Sequence, residues 1–229
     1  MLRYNIFNMI HKALRFKLYN TALTLQQTYF GDSTEATPAF DKINEVINAF
    51  EQHGHHEDTI LMPVIAEFQV ATIASFEKDH IDDRQLGEDL VHLQNIYHAA
   101  QTCTERIIAG SAICKAFVDY MIFNLQHMQR EEIELNKLLW DNFTDDEIQK
   151  IDAQIIASIP AEEMALNVQW VMQAINSDEV TNWLIAVKQT APEHVFASFF
   201  ELTETCLHKD IKAKVQDAVL AFKVPLPVF

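Results

Sequence analysis

The sequence predicts an all-α protein: an up-down-up-down four-helix bundle over residues 1–143, followed by a helical C-terminal region over 144–229. Three observations carry that expectation. Only 4 glycines and 6 prolines occur in 229 residues, too few helix breakers for a loop-rich or strand-rich chain. Apolar residues recur at alternating steps of three and four through four long stretches, the spacing of one buried helix face. The stretches are joined by short polar segments, which favour antiparallel neighbours.

The elements follow in order. Residues 2–30 read as the first helix, closed by Gly31 and the polar Asp32-Ser33-Thr34 turn. A second helix starts near Pro38 and runs past Glu57 to Phe68, with Pro63 as a kink or local break. The third covers 75–108 and is closed by Gly110, and the fourth runs from Ser111 to Asn142. After Phe143 the composition changes. Thr144-Asp145-Asp146-Glu147 has the form of a capping box, and Pro160 and Pro192 punctuate shorter helices. Trp170, Trp183, Phe196, Phe199 and Phe200 lie there at helical spacings and read as core or interface packing. Pro225 and Pro227 make the Val224–Phe229 tail a non-helical end.

Composition excludes several classes. A formal charge of −16 with no basic stripe repels a phosphate backbone, so nucleic acid is not an expected partner. Cys103, Cys114 and Cys206 are odd in number and lack C-x-x-C spacing, which suits reduced thiols better than a disulfide framework. Met1–Arg15 has no apolar signal-peptide core, and no run of about 18 apolar residues predicts a membrane span. The expected location is the cytoplasm.

Two motifs carry the chemistry. Of 10 histidines, only His53 and His127 are followed by glutamate four residues later, at Glu57 and Glu131. Their number is unremarkable; their phase is what matters. In the second helix the seam reads Val46, Phe50, His53, Glu57, Ile60, Val64, apolar except at the pair. In the fourth it reads Ile113, Phe117, Tyr120, Asn124, His127, Glu131, with Leu135 and Leu138 beyond. His11 takes an inward position among Tyr4, Phe7, Leu14 and Leu18. A buried carboxylate without a partner costs several kcal/mol or changes its protonation state, so a shared cation explains these placements better than chance. Residues i and i+4 lie about 5–6 Å apart on one face, within reach of one site.

The third helix offers His80, His92 and His98. An antiparallel course puts His80 level with the second-helix pair and the other two too far along. Gly54 and Gly87, inside helices, either let neighbours approach closely near the site or are tolerated weak spots. His55 and His56 point off the seam and read as solvated, and His92, His98, His194 and His208 as structural or exposed. Tyr120 is either a hydrogen-bond donor to the site or a packing residue.

This order of elements resembles the hemerythrin-like, or HHE cation-binding, family. His11-Lys12-Ala13-Leu14-Arg15 is similar to its opening segment. His53 through Pro63, with a proline six residues after the glutamate, resembles its second block. Asp79-His80-Ile81-Asp82-Asp83 resembles its third, and His127 through Leu135 its fourth. The likeness covers residues 1–143; the remainder is similar to helical extensions of some bacterial members. The resemblance implies a di-iron centre in which Glu57 and Glu131 bridge the metals and His11, His53, His80 and His127 are terminal ligands. An oxo or hydroxo bridge would complete it, leaving positions open to O2, NO, peroxide or water. Mixed nitrogen and oxygen ligation favours Fe or Mn over a closed Zn site, with Mn or Zn as the alternatives to iron.

One position departs from the pattern. Oxygen-carrying hemerythrins have a second histidine four residues after the third-helix ligand, and here that residue is Arg84. Asp83 beside it is a candidate for bonding to His80 or for ligating the metal. The departure weakens reversible O2 carriage and favours sensing, redox or iron-handling roles. Three functions remain in view: a di-iron protein that senses, stores or scavenges O2 or a related molecule; a di-iron oxidase or peroxidase-type enzyme; or an iron-responsive module. In the last, the C-terminal region would dock a protein partner or a second copy of the chain.

Overall fold

The computed structural model describes residues 3–223, whose regular structure is all helical, with no strand among them. The end expected at Val224–Phe229 lies outside the described residues. The chain divides between Ile159 and Pro160 into two compact units.

The first unit begins with α1 (Asn8–Gln27) and α2 (Ser33–His56). The expected turn at Asp32 is instead a helix start. The Asp32 side chain accepts a hydrogen bond from the Thr34 amide at 2.8 Å, so α2 opens at Ser33, ahead of Pro38. A π-helical turn (Glu57–Leu61) and the short α3 (Met62–Ala66) follow. Then come α4 (Val70–Ala99), α5 (Cys103–Arg130), a second π-helical turn (Glu131–Leu135), α6 (Asn136–Asn142) and α7 (Asp145–Ser158).

The break between α4 and α5 falls about two turns earlier than the sequence suggested. Gly110 does not close a helix; it lies within α5 against the ring of Phe30. The boundary is set by a capping box. Thr102 Oγ1 accepts from the Glu105 amide, and Glu105 Oε2 accepts from the Thr102 amide at 3.0 Å.

Both π-turns begin at a site glutamate. A π-turn uses an extra residue, so every position beyond it rotates around the axis. This moves the buried seam from Ile60 and Val64, as expected, to Leu61 and Ile65, and from Leu138 to Leu139. Pro63, which has no amide hydrogen to give the turn before it, accounts for the first. At the second, the Asn136 amide group donates to Glu132 O at 3.1 Å and to Asn5 Oδ1 at 2.9 Å, tying the distorted turn to the N-terminal segment.

α1 packs on α2 and α5, α2 on α4, and α4 on α5. Each pair runs in opposite directions. Lys17 meets Glu45, Gln94 meets Asn44, Asn124 meets Asp83, and Arg15 meets Glu132. An apolar cluster that includes Phe7, Leu61, Ile65, Phe76, Leu135 and Leu139 closes one end, and Ile148 and Ile151 of α7 join it. Length and composition alone put Cys103–Asn142 in the range of a membrane-crossing helix, with a mean hydropathy of 1.3 over its best window. Its inward face nonetheless carries Asn124, His127 and Glu131.

The second unit contains α8 (Ala161–Ala174), α9 (Ser177–Thr190), α10 (Glu193–Cys206) and α11 (Lys209–Ala221). Val168, Met172, Val180, Leu184, Val215 and Val219 are buried. Trp183 packs edge-on against Phe199, and Phe196 lies tilted against Phe200, the packing role expected of these aromatics. Lys188 Nζ donates to the carbonyls of Val219 and Phe222, each at 2.8 Å. Cys103, Cys114 and Cys206 are free thiols.

Candidate metal centre

α1, α2 with its π-turn, α4, and α5 with its π-turn bring six residues to one point in the core. They are His11, His53, Glu57, His80, His127 and Glu131. They form two overlapping groups, His11–His53–Glu57–Glu131 and Glu57–His80–His127–Glu131, whose ligand atoms lie within 4.8 Å of one another. Both groups contain both glutamates.

Each glutamate divides its two oxygens between the histidine pairs. Glu57 Oε1 is 3.2 Å from His53 Nε2, and its Oε2 is 3.2 Å from His80 Nε2. Glu131 Oε2 is 3.3 Å from His11 Nε2, while its Oε1 is 2.8 Å from His127 Nε2 and 3.8 Å from His80 Nε2. All but the last lie within hydrogen-bond distance, yet none of these carboxylate oxygens takes a hydrogen bond. All four carboxylate oxygens, and Nε2 of His80 and His127, are buried with no bonded partner. His11 Nε2 and His53 Nε2 face each other at 3.1 Å.

Buried polar atoms are normally satisfied, so six of them meeting tip to tip call for a common partner. A cation with bonds of about 2.1 Å sets neighbouring ligand atoms about 3 Å apart, which is the spacing found. The donors, imidazole nitrogen and carboxylate oxygen, are those that first-row metals take. The buried His/Glu groups can therefore hold a metal ion.

Three of the imidazoles are held from behind by an acid. His80 Nδ1 lies 2.7 Å from Asp58 Oδ1, His11 Nδ1 lies 3.0 Å from Glu132 Oε1, and His127 Nδ1 lies 3.4 Å from Asp79 Oδ2. Such contacts fix the tautomer and turn Nε2 toward the centre. Arg15 donates to Glu132 at 2.7 Å, and Arg130 bonds Asp79 while lying over the Phe76 ring. The sequence seams did not reveal Asp58, Asp79 or Glu132. Their only signal is adjacency, since each is the chain neighbour of a site residue but serves a histidine on another helix.

Electrostatics follow from this enclosure. Burial opposes a charge on His11, but Glu131 and Glu132 outweigh it and raise its pKa to about 9. Burial likewise opposes His80, and Asp58, Glu131 and Glu57 lift it to about 12. His127 is raised against burial by Glu131. For Glu131, burial is overcome by His127, His11 and His80, which hold it well below the carboxylate range. Burial, then the charge of Glu131, pushes Glu57 up to about 7. His53, buried and facing His11, is held well below the usual histidine value.

The remaining candidates sort clearly. Gly54 lies against His80: a Cβ there would stand 3.4 Å from its ring, an ordinary contact. Asp83 is buried but takes a hydrogen bond from Asn124 Nδ2 at 2.6 Å and is not among the converging ligand atoms. Tyr120 and Asn124 are buried beside it, each keeping an oxygen without a bonded partner. Arg84 is exposed. His55, His92, His98, His194 and His208 are exposed, but His56 is not solvated as expected; it is buried with Nδ1 3.2 Å from Ser158 Oγ. Comparison of the chain with protein-family models, curated proteins and solved structures found no match.

Proposed function

We propose that this chain is a non-heme di-iron protein of hemerythrin-like, up-down-up-down four-helix architecture that engages O2 or a related small molecule such as NO or peroxide. Sensing, storage or scavenging is its role in this reading. The observation that carries it is the division of each glutamate between two histidine pairs. A carboxylate serving one cation has no need to present its two oxygens to opposite sides; one shared by two cations does. His11 and His53 would hold one iron, His80 and His127 the other, with Glu57 and Glu131 shared. Two irons bound there would supply one-electron chemistry toward a diatomic ligand or peroxide.

The chain's own residues then have defined tasks. Asp58, Glu132 and Asp79 orient the imidazoles. The Phe7 and Phe76 side chains, both buried, line the cluster against His11 and His127 and keep water from its apolar end. No cysteine is among the donors, which favours iron over a thiolate-bound structural zinc. Metal analysis of freshly purified protein tests the reading: two irons per chain are expected, with ferric absorption developing when the ferrous protein meets air. One zinc, or no metal in a folded protein, overturns it.

A further inference from the structure

We infer that the two cation positions are unequal and fill in order, the His80–His127 position before the His11–His53 position. The inference rests on the two-cation reading above and concerns what stands behind the imidazoles.

The supporting acids follow a rule around the cluster. Asp58, next to Glu57, backs His80 of α4; Asp79, next to His80, backs His127 of α5; Glu132, next to Glu131, backs His11 of α1. A fourth acid, next to His11, would close the ring by backing His53. The neighbours of His11 are Ile10 and Lys12, and neither is an acceptor. Among the described residues no carboxylate reaches His53 Nδ1.

The His80–His127 position therefore has two supporting acids. One, Asp58, makes the shortest of the three contacts at 2.7 Å, with no arginine among the described residues bonded to it; the other, Asp79, lies 3.4 Å from His127 Nδ1 and shares its charge with Arg130. The His11–His53 position has one, and Glu132 divides its charge with Arg15 at 2.7 Å. His53 is also the least enclosed of the four imidazoles, with 10% of its side chain exposed against 0% for His11 and 5% each for His80 and His127. Filling its position must in addition replace the 3.1 Å contact between His11 and His53. Loss of one such supporting group changes metal affinity about 10–100-fold, and that is the separation expected between the two steps. A chain with one tight and one weaker position passes through a one-metal form as metal becomes scarce.

Titration of the metal-free full-length chain with Co2+, followed by calorimetry and visible absorption, tests this. Two equivalents binding in steps about 10–100-fold apart are expected. His53→Ala should lose the weaker equivalent and keep the tighter. Asp58→Ala should weaken the tighter one and narrow the gap; with its side chain 32% exposed, Asp58 can be removed without opening the core. Two equivalents of indistinguishable affinity, or a His53→Ala protein that loses the tighter one, overturn the order and leave the two-cation reading standing. Uptake of a single equivalent, or none, by the folded parent protein overturns both.

Discussion

Replacing Glu131 by glutamine removes one charge from the centre and almost no volume, and the structure sets the size and pH dependence of the effect. Glu131 is fully buried and faces His11, His127 and His80. In the metal-free protein the first of these has a pKa raised from 6.5 to about 9. At 1.36 kcal/mol per pH unit, a shift of that size is on the order of 3 kcal/mol of stability. Glu132 supplies part of it, so Glu131 accounts for less than the whole through His11, while His80 and His127 add their own shares. Removing one partner of a buried pair costs about 3–5 kcal/mol, and about 3 kcal/mol is expected here below neutrality. The sign follows from the direction of the shift. A histidine raised in the folded state contributes fully below pH 6.5, and that contribution is lost as pH rises through about 9. The part carried by His80 persists higher, because its pKa lies near 12. Urea unfolding of chelator-treated parent and Glu131→Gln proteins, at pH 6 and pH 10, should therefore show a larger loss at pH 6. A loss of equal size at both, or a variant that still takes up two metals, would refute the account.

Two glycines give sharper structural tests. Gly54→Ala should keep metal stoichiometry, because the added Cβ makes ordinary contact with His80 at 3.4 Å, whereas Gly54→Leu should displace that imidazole and lose metal; equal stoichiometry in both proteins would refute the close-approach role. Gly110→Ala should destabilise by about 1–3 kcal/mol in chemical denaturation despite its better helix propensity. Its Cβ would fall 2.1 Å from Phe30 Cγ, and a more stable variant would show that this contact relaxes freely.

The six converging residues were legible because helical phase is a property of sequence alone. His11, His53, Glu57, His80, His127 and Glu131 each interrupt or extend an apolar face, and antiparallel register levels them. What lay downstream of the glutamates was not legible. An ideal 3.6-residue period carries Val64 and Leu138 inward, but each π-turn advances the register, and Ile65 and Leu139 take their places. Pro63 marks the first turn; the second has no comparable marker, since the Asn136 contacts that accompany it involve Asn5, far away in sequence. The α4–α5 boundary is hidden for a different reason. Gly110 suggests a helix end by its backbone freedom, but its use is the space it leaves for Phe30, and the Thr102–Glu105 capping box is the better signal.

A buried salt-bridge network is the competing explanation for these residues, and a count of charges shows what it requires. Five carboxylates, those of Glu57, Glu131, Asp58, Asp79 and Glu132, are gathered here with two arginines, Arg15 and Arg130. With all imidazoles neutral, three negative charges are left over. The metal-free protein meets that deficit by protons: the pKa values of His11, His80, His127 and Glu57 are raised, and that of the fourth imidazole, His53, is lowered. Protons satisfy the charge but not the geometry, because the oxygens of Glu57 and Glu131 still lack a bonded partner. Two divalent cations carry four charges against those three, so they would cover the deficit with one to spare for a hydroxide while releasing the imidazole protons and bonding the orphaned oxygens and nitrogens at once. The acids behind the histidines then have a purpose that a salt-bridge core does not give them: each holds an Nδ1 proton in place so that Nε2 remains a free lone pair. A network built only for stability would do better with apolar residues of the same volume, which is what the second-helix seam holds on either side of its pair, at Val46, Phe50, Leu61 and Ile65.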